Sequence, residues 1–155
     1  VPGRGVVGCA DGKIREIKKT HDEDIGDCLK ISTFMNVYNV HVNRMPLNGV
    51  VSDIRHLPGG YVPAFKKESD RNERMILTLE TEIGVVKIVQ IAGIVARRIV
   101  PYIRKGESIT KGERIGIIRF GSRVDLYLPA SKTNIYVKEN NLVKAGEDRI
   151  AEIRS

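Results

Sequence analysis

Short apolar segments rich in valine and isoleucine recur along the chain, separated by glycine and charged residues. The clearest of them are residues 37–42, 49–54, 75–81, 84–91, 115–120 and 124–128. In 77–80 (LTLE) and 124–128 (VDLYL) the side chains alternate with a period of two, which is typical of strands that bury one face. The pattern predicts a mostly β protein with minor α, folded as a compact antiparallel β barrel or sandwich.

Helical signals are weak by comparison. The best helix candidate is the short segment 20–29, which opens on polar and acidic residues. Residues 91–103 are predicted to form a strand and a turn, because Pro101 and the β-branched content disfavour a helix. The segments 106–116 and 141–147 loosely share a Lys-x-Gly-Glu rhythm that is typical of hairpin turns, so we interpret both as structural.

The composition fits one globular domain and suggests an anionic partner. A length of 155 residues with 41% hydrophobic residues is enough for a proper core. Aromatic residues make up only 5%, which argues against an aromatic platform for single-stranded nucleic acid. The net charge of +7 favours nucleic acid or an acidic membrane surface. The basic run from Arg97 to Arg119 is either a lipid-docking cluster or an ordinary solvated face.

The cysteines and the beginning of the sequence bear on location. Cys9 and Cys28 form no Cys-x-x-Cys pair and no disulfide framework, which predicts an intracellular, reducing compartment. No apolar run reaches the ~18 residues of a membrane span. The sequence begins with Val-Pro rather than Met, which suggests the hypothesis that a leader or anchor has been removed.

A Gly-Ser bond joins two predicted strands at Gly121 and Ser122. Such a pair is by default a turn. It is also a bond at which a chain can cut itself, when the serine oxygen attacks the glycine carbonyl and the amide becomes an ester. Elimination of that ester gives dehydroalanine, and hydrolysis of the dehydroalanine releases ammonia and leaves a pyruvoyl group, which is a ketone built into the chain. Ser122 is therefore a candidate precursor of a covalent cofactor.

A self-cleaving serine needs a base, and the base needs an orienting partner. His41 lies between two valines on a predicted strand, and His56 precedes a glycine-rich turn. His21 lies in an acidic segment and is predicted to be a spectator. Asp11 is either the orienting carboxylate or part of an Asp-Gly hairpin turn.

Four motifs in order carry a family resemblance. They are residues 10–12 (ADG), 39–49 (NVHVNRMPLNG), 71–74 (RNER) and 120–125 (FGSRVD). Together they resemble the phosphatidylserine decarboxylases, above all the short bacterial and archaeal members, which include archaetidylserine decarboxylases. The match extends over nearly the whole chain, and four motifs in register are far more specific than any one of them.

The resemblance implies a proenzyme cut between Gly121 and Ser122. The single decarboxylase domain 1–155 would then consist of a β chain, 1–121, and a pyruvoyl-bearing α chain, 122–155. The pyruvoyl group made from Ser122 would form a Schiff base with a serine phospholipid, with no metal and no pyridoxal phosphate. His41 would be the base and proton donor, and Asp11 would orient that base and serve self-cleavage.

The resemblance also implies substrate contacts and partners. Arg44 stands where longer members carry a second histidine, so the division of work among His41, Arg44 and His56 stays open. Arg44, His56 and Arg74 are candidate substrate-binding residues. The implied partners are the serine phospholipid, an anionic membrane surface and a second copy in a homodimer, without nucleic acid. The implied location is peripheral, on the cytoplasmic membrane.

Two other classes of function stay open from the sequence. Glycine-punctuated short strands also suit a non-catalytic β-barrel carrier or adaptor, although no lysine occupies the expected Met-Lys hairpin tip. The charge also suits a basic nucleic-acid-binding barrel, whose binding would depend strongly on salt.

Overall fold

The computed structural model describes residues 5–35, 40–59, 72–93, 99–119 and 122–154. Within them the regular structure consists of strands and one short 3₁₀ turn, Ala130–Lys132. The strands are β1 (Gly5–Val7), β2 (Gly12–Asp22), β3 (Gly26–Phe34), β4 (Val40–Arg44), β5 (Gly49–Leu57), β6 (Arg74–Thr81), β7 (Gly84–Ile91), β8 (Ile99–Pro101), β9 (Ser108–Ile109), β10 (Arg114–Arg119), β11 (Arg123–Pro129), β12 (Thr133–Ile135), β13 (Leu142–Val143) and β14 (Arg149–Ile153).

Eight strands form one curled antiparallel sheet in the order β13-β2-β3-β11-β7-β6-β5-β9. Two further sheets have three strands each, in the orders β4-β10-β8 and β1-β14-β12. The prediction of a mostly β, antiparallel fold is therefore confirmed. The single-domain organisation and its division at residue 121 stay predictions.

The eight-stranded sheet buries one face, which we call the inner face. Ladder pairs such as Ile88 with Leu126 place their side chains on the same side of the sheet, and both of these are buried in the core. The period-two alternation read from the sequence accounts for this burial. The inner-face core residues of β6, β7 and β11, together with Ala92 directly after β7, are Met75, Leu77, Leu79, Val86, Ile88, Ala92, Val124, Leu126 and Leu128.

The helix predicted over 20–29 is wrong, because this segment is a β hairpin. β2 runs on to Asp22, and β3 begins at Gly26, whose φ of 85° suits glycine. The acidic residues serve the hairpin instead of a helix start. Lys87 Nζ on β7 lies 2.9 Å from an Asp22 oxygen and 2.7 Å from an Asp24 oxygen. Burial acts to raise the pKa of Asp22, but hydrogen bonds led by that from Lys87 lower it overall.

The predicted strands 49–54, 75–81, 84–91 and 124–128 are confirmed as parts of β5, β6, β7 and β11. The prediction for 115–120 is confirmed up to Arg119, and that for 37–42 from Val40 onward, while the remaining positions lie outside the described residues. In 91–103 the structure contains β8, which is an edge strand. Pro101 is tolerated there because an edge strand need not donate every N–H.

The two segments with a Lys-x-Gly-Glu rhythm both contain turns, but the prediction of hairpin turns is wrong, because β9 pairs with β5 and β13 pairs with β2 rather than with the strand that follows each turn. Gly112 has a φ of 88° and Gly146 a φ of 73°, both in the left-handed region that favours glycine. The two turns also lie against each other, since a Cβ on Gly146 would be 3.7 Å from the Cα of Gly112.

Candidate active site

Ser122 lies directly before β11, at one edge of the inner face. Its C=O accepts the N–H of Met35 at 2.9 Å, and only 1% of its surface is exposed. The ladder pairs its neighbour Arg123 with β3 on one side and β7 on the other, so Met35 and Ala92 flank Ser122. We call this end of the sheet the Ser122 edge. Gly121 lies outside the described residues, so the structure describes only the serine residue of the bond that is predicted to break.

The pairing of β4 with β10 places His41 beside the strand that precedes Ser122. The backbone of His41 pairs with Ile118, on the strand that leads toward Ser122. The side chain of His41 lies outside the described part of the chain, so its role as base stays a prediction. The register nevertheless explains how residues 41 and 122, far apart in sequence, belong to neighbouring segments.

Asp11 is not part of a hairpin turn, which corrects one of the two interpretations of the Asp-Gly pair. It lies in a bend before β2, and its Oδ1 accepts the N–H of Ala145 at 2.7 Å. Gly12 follows because a Cβ there would lie 2.2 Å from the C=O of Phe34, which is far too close. The glycine therefore permits the close approach of β2 and β3, while the aspartate holds the C-terminal segment.

Asp11 and Arg44 share a cavity of about 680 Å³. The backbone N–H of Arg44 donates to the C=O of Cys9 at 2.8 Å, and its Nη1 donates to the C=O of Gly112 at 2.8 Å. Both bonds fix the arginine beside the segment that carries Asp11. The residues that line the cavity are Asp11, Val42, Arg44, Gly112, Lys144, Ala145, Gly146 and Glu147.

Lys144 and Glu147 are cavity residues that the sequence interpretation assigned to structure alone. They belong to the second Lys-x-Gly-Glu turn, and Gly112 belongs to the first. The repeated motif was the signal, since two similar turns with glycines at positive φ pack together at one place. Both turns therefore form the wall of the cavity as well as reversing the chain.

The three candidate substrate-binding residues lie in three different places. Arg44 lines the cavity, as described. The His56 side chain is 51% exposed, and its Nε2 lies 3.4 Å from Glu73 Oε2 at the Ser122 edge. Arg74 precedes Met75 of the inner face and so points to the opposite face of the sheet, where its Nη1 donates to the C=O of Asn72 at 3.0 Å. The structure thus brings His56 to the edge that carries Ser122, whereas Arg74 faces away from it.

A buried amide pair near Ser122 was not singled out from the sequence. Gln90 Nε2 donates to Asn43 Oδ1 at 2.7 Å, and both side chains are fully buried. Asn43 Nδ2 lies 3.7 Å from the sulfur of Met35, the residue that also holds the Ser122 carbonyl. The available signal was the polar residue Gln90 between the apolar residues Val89 and Ile91 of β7. The pair joins β4 to the inner face of the large sheet.

Three further findings concern a nucleophilic cysteine, a metal site and a membrane-spanning helix. Burial raises the pKa of the Cys9 thiol to about 12, so this cysteine is not a thiolate nucleophile at neutral pH. Across the described ranges, no cluster of three His, Cys, Asp or Glu side chains is arranged to hold a metal ion. None of the described helical segments has the length and apolar character needed to span a bilayer.

Comparisons with known proteins agree with the family resemblance. Residues 2–151 match the family model described as phosphatidylserine decarboxylase. A phosphatidylserine decarboxylase proenzyme of Streptomyces griseus is 48% identical over 145 residues, which cover 94% of this chain and 65% of that protein. One of Thermobifida fusca is 50% identical over 141 residues, covering 91% and 63%. A Methanococcoides burtonii protein, provisionally named archaetidylserine decarboxylase proenzyme, is 46% identical over 143 residues, covering 92% and 64%. The chain thus spans about 65% of the length of such relatives.

Proposed function

The chain belongs to the phosphatidylserine decarboxylase family, and on that premise we propose that it decarboxylates a serine phospholipid to the ethanolamine phospholipid. The substrate would be phosphatidylserine or archaetidylserine, after self-cleavage between Gly121 and Ser122 and formation of a pyruvoyl group. The observation that carries the proposal is the position of Ser122, buried at the start of a central strand inside the matched region. The same match favours this function over a carrier or a nucleic-acid-binding barrel.

The surroundings of Ser122 fit a small carbonyl group derived from it. Met35 and Ala92 flank it, both are buried and apolar, and the Met35 N–H holds its backbone. The pyruvoyl group supplies a carbonyl that takes up the electron pair released as carbon dioxide leaves. The apolar inner face assists that loss, since it is a poor environment for the negative charge of a carboxylate.

The residues of the chain itself would perform the cleavage. We assign the removal of the Ser122 hydroxyl proton to His41, with Asp11 orienting the base directly or through water. The oxygen of Ser122 then forms a bond to the Gly121 carbonyl carbon, and the peptide C–N bond breaks to leave an ester. Because β11 is paired on both sides, with β3 and with β7, the two pieces would stay in one fold after cleavage.

The activity is tested with the purified protein and mixed micelles that contain phosphatidylserine or archaetidylserine. We expect release of carbon dioxide and formation of the ethanolamine lipid, measured by mass spectrometry of the lipids. Use of one lipid and not the other would define the backbone specificity. A protein that is cut at residue 122 but leaves both lipids unchanged would contradict the proposed activity.

An anionic membrane surface is the proposed partner, with a peripheral location on the cytoplasmic membrane. Of the basic run, Arg104, Lys105 and Arg114 are exposed, while Arg97 and Arg98 lie outside the described residues. Val50 and Tyr102 are exposed large apolar residues in the same region, since Val50 pairs with Ser108 of β9. Basic and apolar groups side by side suit the headgroup region of a bilayer. The homodimer stays a prediction of the family resemblance.

Replacing Arg104 and Lys105 together by glutamine is expected to weaken binding to anionic liposomes by roughly 2 kcal/mol, at about 1 kcal/mol for each basic residue near the surface. The measurement is co-sedimentation with vesicles of graded anionic lipid content at two salt concentrations. Lys18→Gln with Lys19→Gln removes the same charge from exposed positions on β2 and should change binding much less. Binding that is indifferent to salt and lipid charge would refute the docking surface.

A further inference from the structure

The Ser122 edge carries a polar pair, Glu73 and His56, that the steps above do not use. Glu73 lies directly before β6, and its C=O accepts the N–H of Ala92 at 2.9 Å. Asn72 Nδ2 donates to the C=O of Ala92 at 2.7 Å, which fixes the same loop a second time. Since Ala92 also flanks Ser122, Glu73 and Ser122 stand two strands apart, with roughly 10 Å between their backbones.

Glu73 is a buried carboxylate, and one of its two oxygens has no hydrogen-bond donor among the described residues. Only 8% of the residue is exposed, and its Oε2 is the atom that lies 3.4 Å from His56 Nε2. Its Oε1 is buried and meets no hydrogen-bond donor among the residues that the structure describes. A buried acceptor without a donor costs free energy, so its presence requires an explanation, and a bound donor group is one.

Gln90 offers a second acceptor of the same kind. Its Nε2 is engaged by Asn43, whereas its Oε1 is buried without a partner in the described ranges. Gln90 pairs with Met75 on β6, so it is a diagonal cross-strand neighbour of Glu73 on the inner face. Two acceptor oxygens on one face, each without a donor in the described part of the chain, suit a cation that carries several N–H donors. An ammonium group is such a cation.

His56 links this buried region to solvent. Half of its side chain is exposed, while its Nε2 is directed to the Glu73 carboxylate. An imidazole can accept a proton on one ring nitrogen and release one from the other, which makes it a suitable proton carrier. Glu73 and His56 therefore form a path from the inner face to water.

We propose that Glu73 binds the ammonium group of the serine headgroup and takes its proton, and that His56 carries this proton to solvent. The inference rests on the proposed function and adds a residue for its first step. An ammonium group has no electron pair with which to attack a carbonyl. In the step, one ammonium N–H bond breaks, an O–H bond forms on the Glu73 carboxylate, and the electron pair stays on nitrogen. The carboxyl proton then passes to His56 Nε2, and His56 releases a proton to water.

Binding of soluble headgroups tests the ammonium contact without relying on turnover. Wild-type protein is titrated with glycerophosphoethanolamine and with glycerophosphate, which lacks the amine, by calorimetry. Glu73→Gln is expected to lose about tenfold or more of the preference for the amine-bearing probe, because a hydrogen bond to a charged group is lost. Glu80→Gln, on the exposed far end of the same strand, should keep the wild-type preference. An unchanged preference in Glu73→Gln would overturn the assignment.

A second variant tests the proton path, and this test can still be made if Glu73→Gln does not fold. His56→Gln leaves the Glu73 carboxylate in place, so it should keep the headgroup preference while its turnover at saturating substrate falls about tenfold or more. Turnover equal to the wild type would remove His56 from the path. Wild-type protein that is neither cut nor active contradicts the proposed function itself. Active wild type together with unaffected Glu73→Gln and His56→Gln contradicts only this inference.

Discussion

Ser122→Ala is expected to remain one uncut chain and to lose decarboxylation down to the background of the assay. Alanine has no oxygen to attack the Gly121 carbonyl, so neither the ester nor the ketone can form. Enzymes accelerate their reactions by about 10⁶-fold or more, and a variant that lacks the electrophile should lose nearly all of that acceleration. The fold should be kept, since Ser122 is small and its backbone carbonyl still accepts the Met35 N–H.

Mass spectrometry under denaturing conditions measures this result. Denaturation is required because β11 is hydrogen-bonded to β3 and β7, and these bonds would hold the two pieces together after a cut. The wild type should give two pieces, the second beginning with a ketone in place of the amine of Ser122. Ser108→Ala, at an exposed position of β9, is the matched control and should be cut like the wild type. Two pieces and full activity from Ser122→Ala would refute the cleavage site.

The strands were readable from the sequence because their side chains obey a short-range rule. Leu77 and Leu79 on β6 and Leu126 and Leu128 on β11 alternate with less buried or polar residues, and each set faces the core. Period-two burial is a property of each strand alone, so no knowledge of the neighbours is needed. The mostly β class follows from that rule, whereas the order of the strands does not.

The helix predicted over 20–29 shows where the local rule fails. Acidic residues near a segment start can cap a helix, but Asp22 and Asp24 instead meet Lys87, a residue of a strand that is remote in sequence. The same limitation applies to Asp11, whose oxygen accepts a backbone N–H from Ala145 near the other end of the chain. In both cases the carboxylate contacts a residue that is remote in sequence, and Asp22 also accepts the N–H groups of Asp24 and Ile25 within the turn of the hairpin.

The candidate site was predicted in part, and through motifs. Ser122 came from the Gly-Ser bond between two predicted strands, and Asp11 came from the search for an orienting carboxylate. The ordered motifs then supported both residues and added Arg44. Glu73 belonged to a quoted motif too, but its contact with His56 depends on the pairing of β5 with β6. The buried contact of Gln90 with Asn43 could be predicted only by knowing that β4 lies over the inner face. Predicting these contacts requires the pairing register of the strands and the burial of the side chains, which residue type alone does not give.

Asp125→Ala is expected to destabilise the protein by about 3–5 kcal/mol, as is usual when one partner of a buried ion pair is removed. Arg123 Nε lies 3.1 Å from Asp125 Oδ1, and Nη2 lies 3.2 Å from Oδ2, in a two-point contact. Both residues are buried, at 7% and 1% exposure. The substitution leaves the guanidinium buried without that carboxylate, although it still lies over the ring of Phe34 at 5.9 Å. Urea denaturation followed by circular dichroism measures the loss.

Two further variants separate the charge from the packing. Glu16→Ala breaks a contact of 2.9 Å with Lys30 in which Glu16 is 46% exposed, so it should cost no more than about 1 kcal/mol. The pair Arg123→Met with Asp125→Leu removes both buried charges together and should be far less costly than Asp125→Ala alone, since the penalty of burying charge disappears with them. If Asp125→Ala and Glu16→Ala lower the free energy of unfolding equally, the buried pair of Arg123 and Asp125 contributes no more to stability than an exposed ion pair does.

The pH dependence of stability gives an independent check on the same pair. Burial raises the pKa of Asp125, and the charge of Arg123 opposes this only in part. A carboxyl group whose pKa is higher in the folded than in the unfolded state favours folding below the unfolded pKa. That contribution is lost as the pH rises through the folded pKa. Asp125→Asn cannot ionise, so its free energy of unfolding should lack this decline relative to the wild type. A wild-type profile that instead gains stability through Asp125 as the pH rises would mean that the contact with Arg123 outweighs the cost of burial.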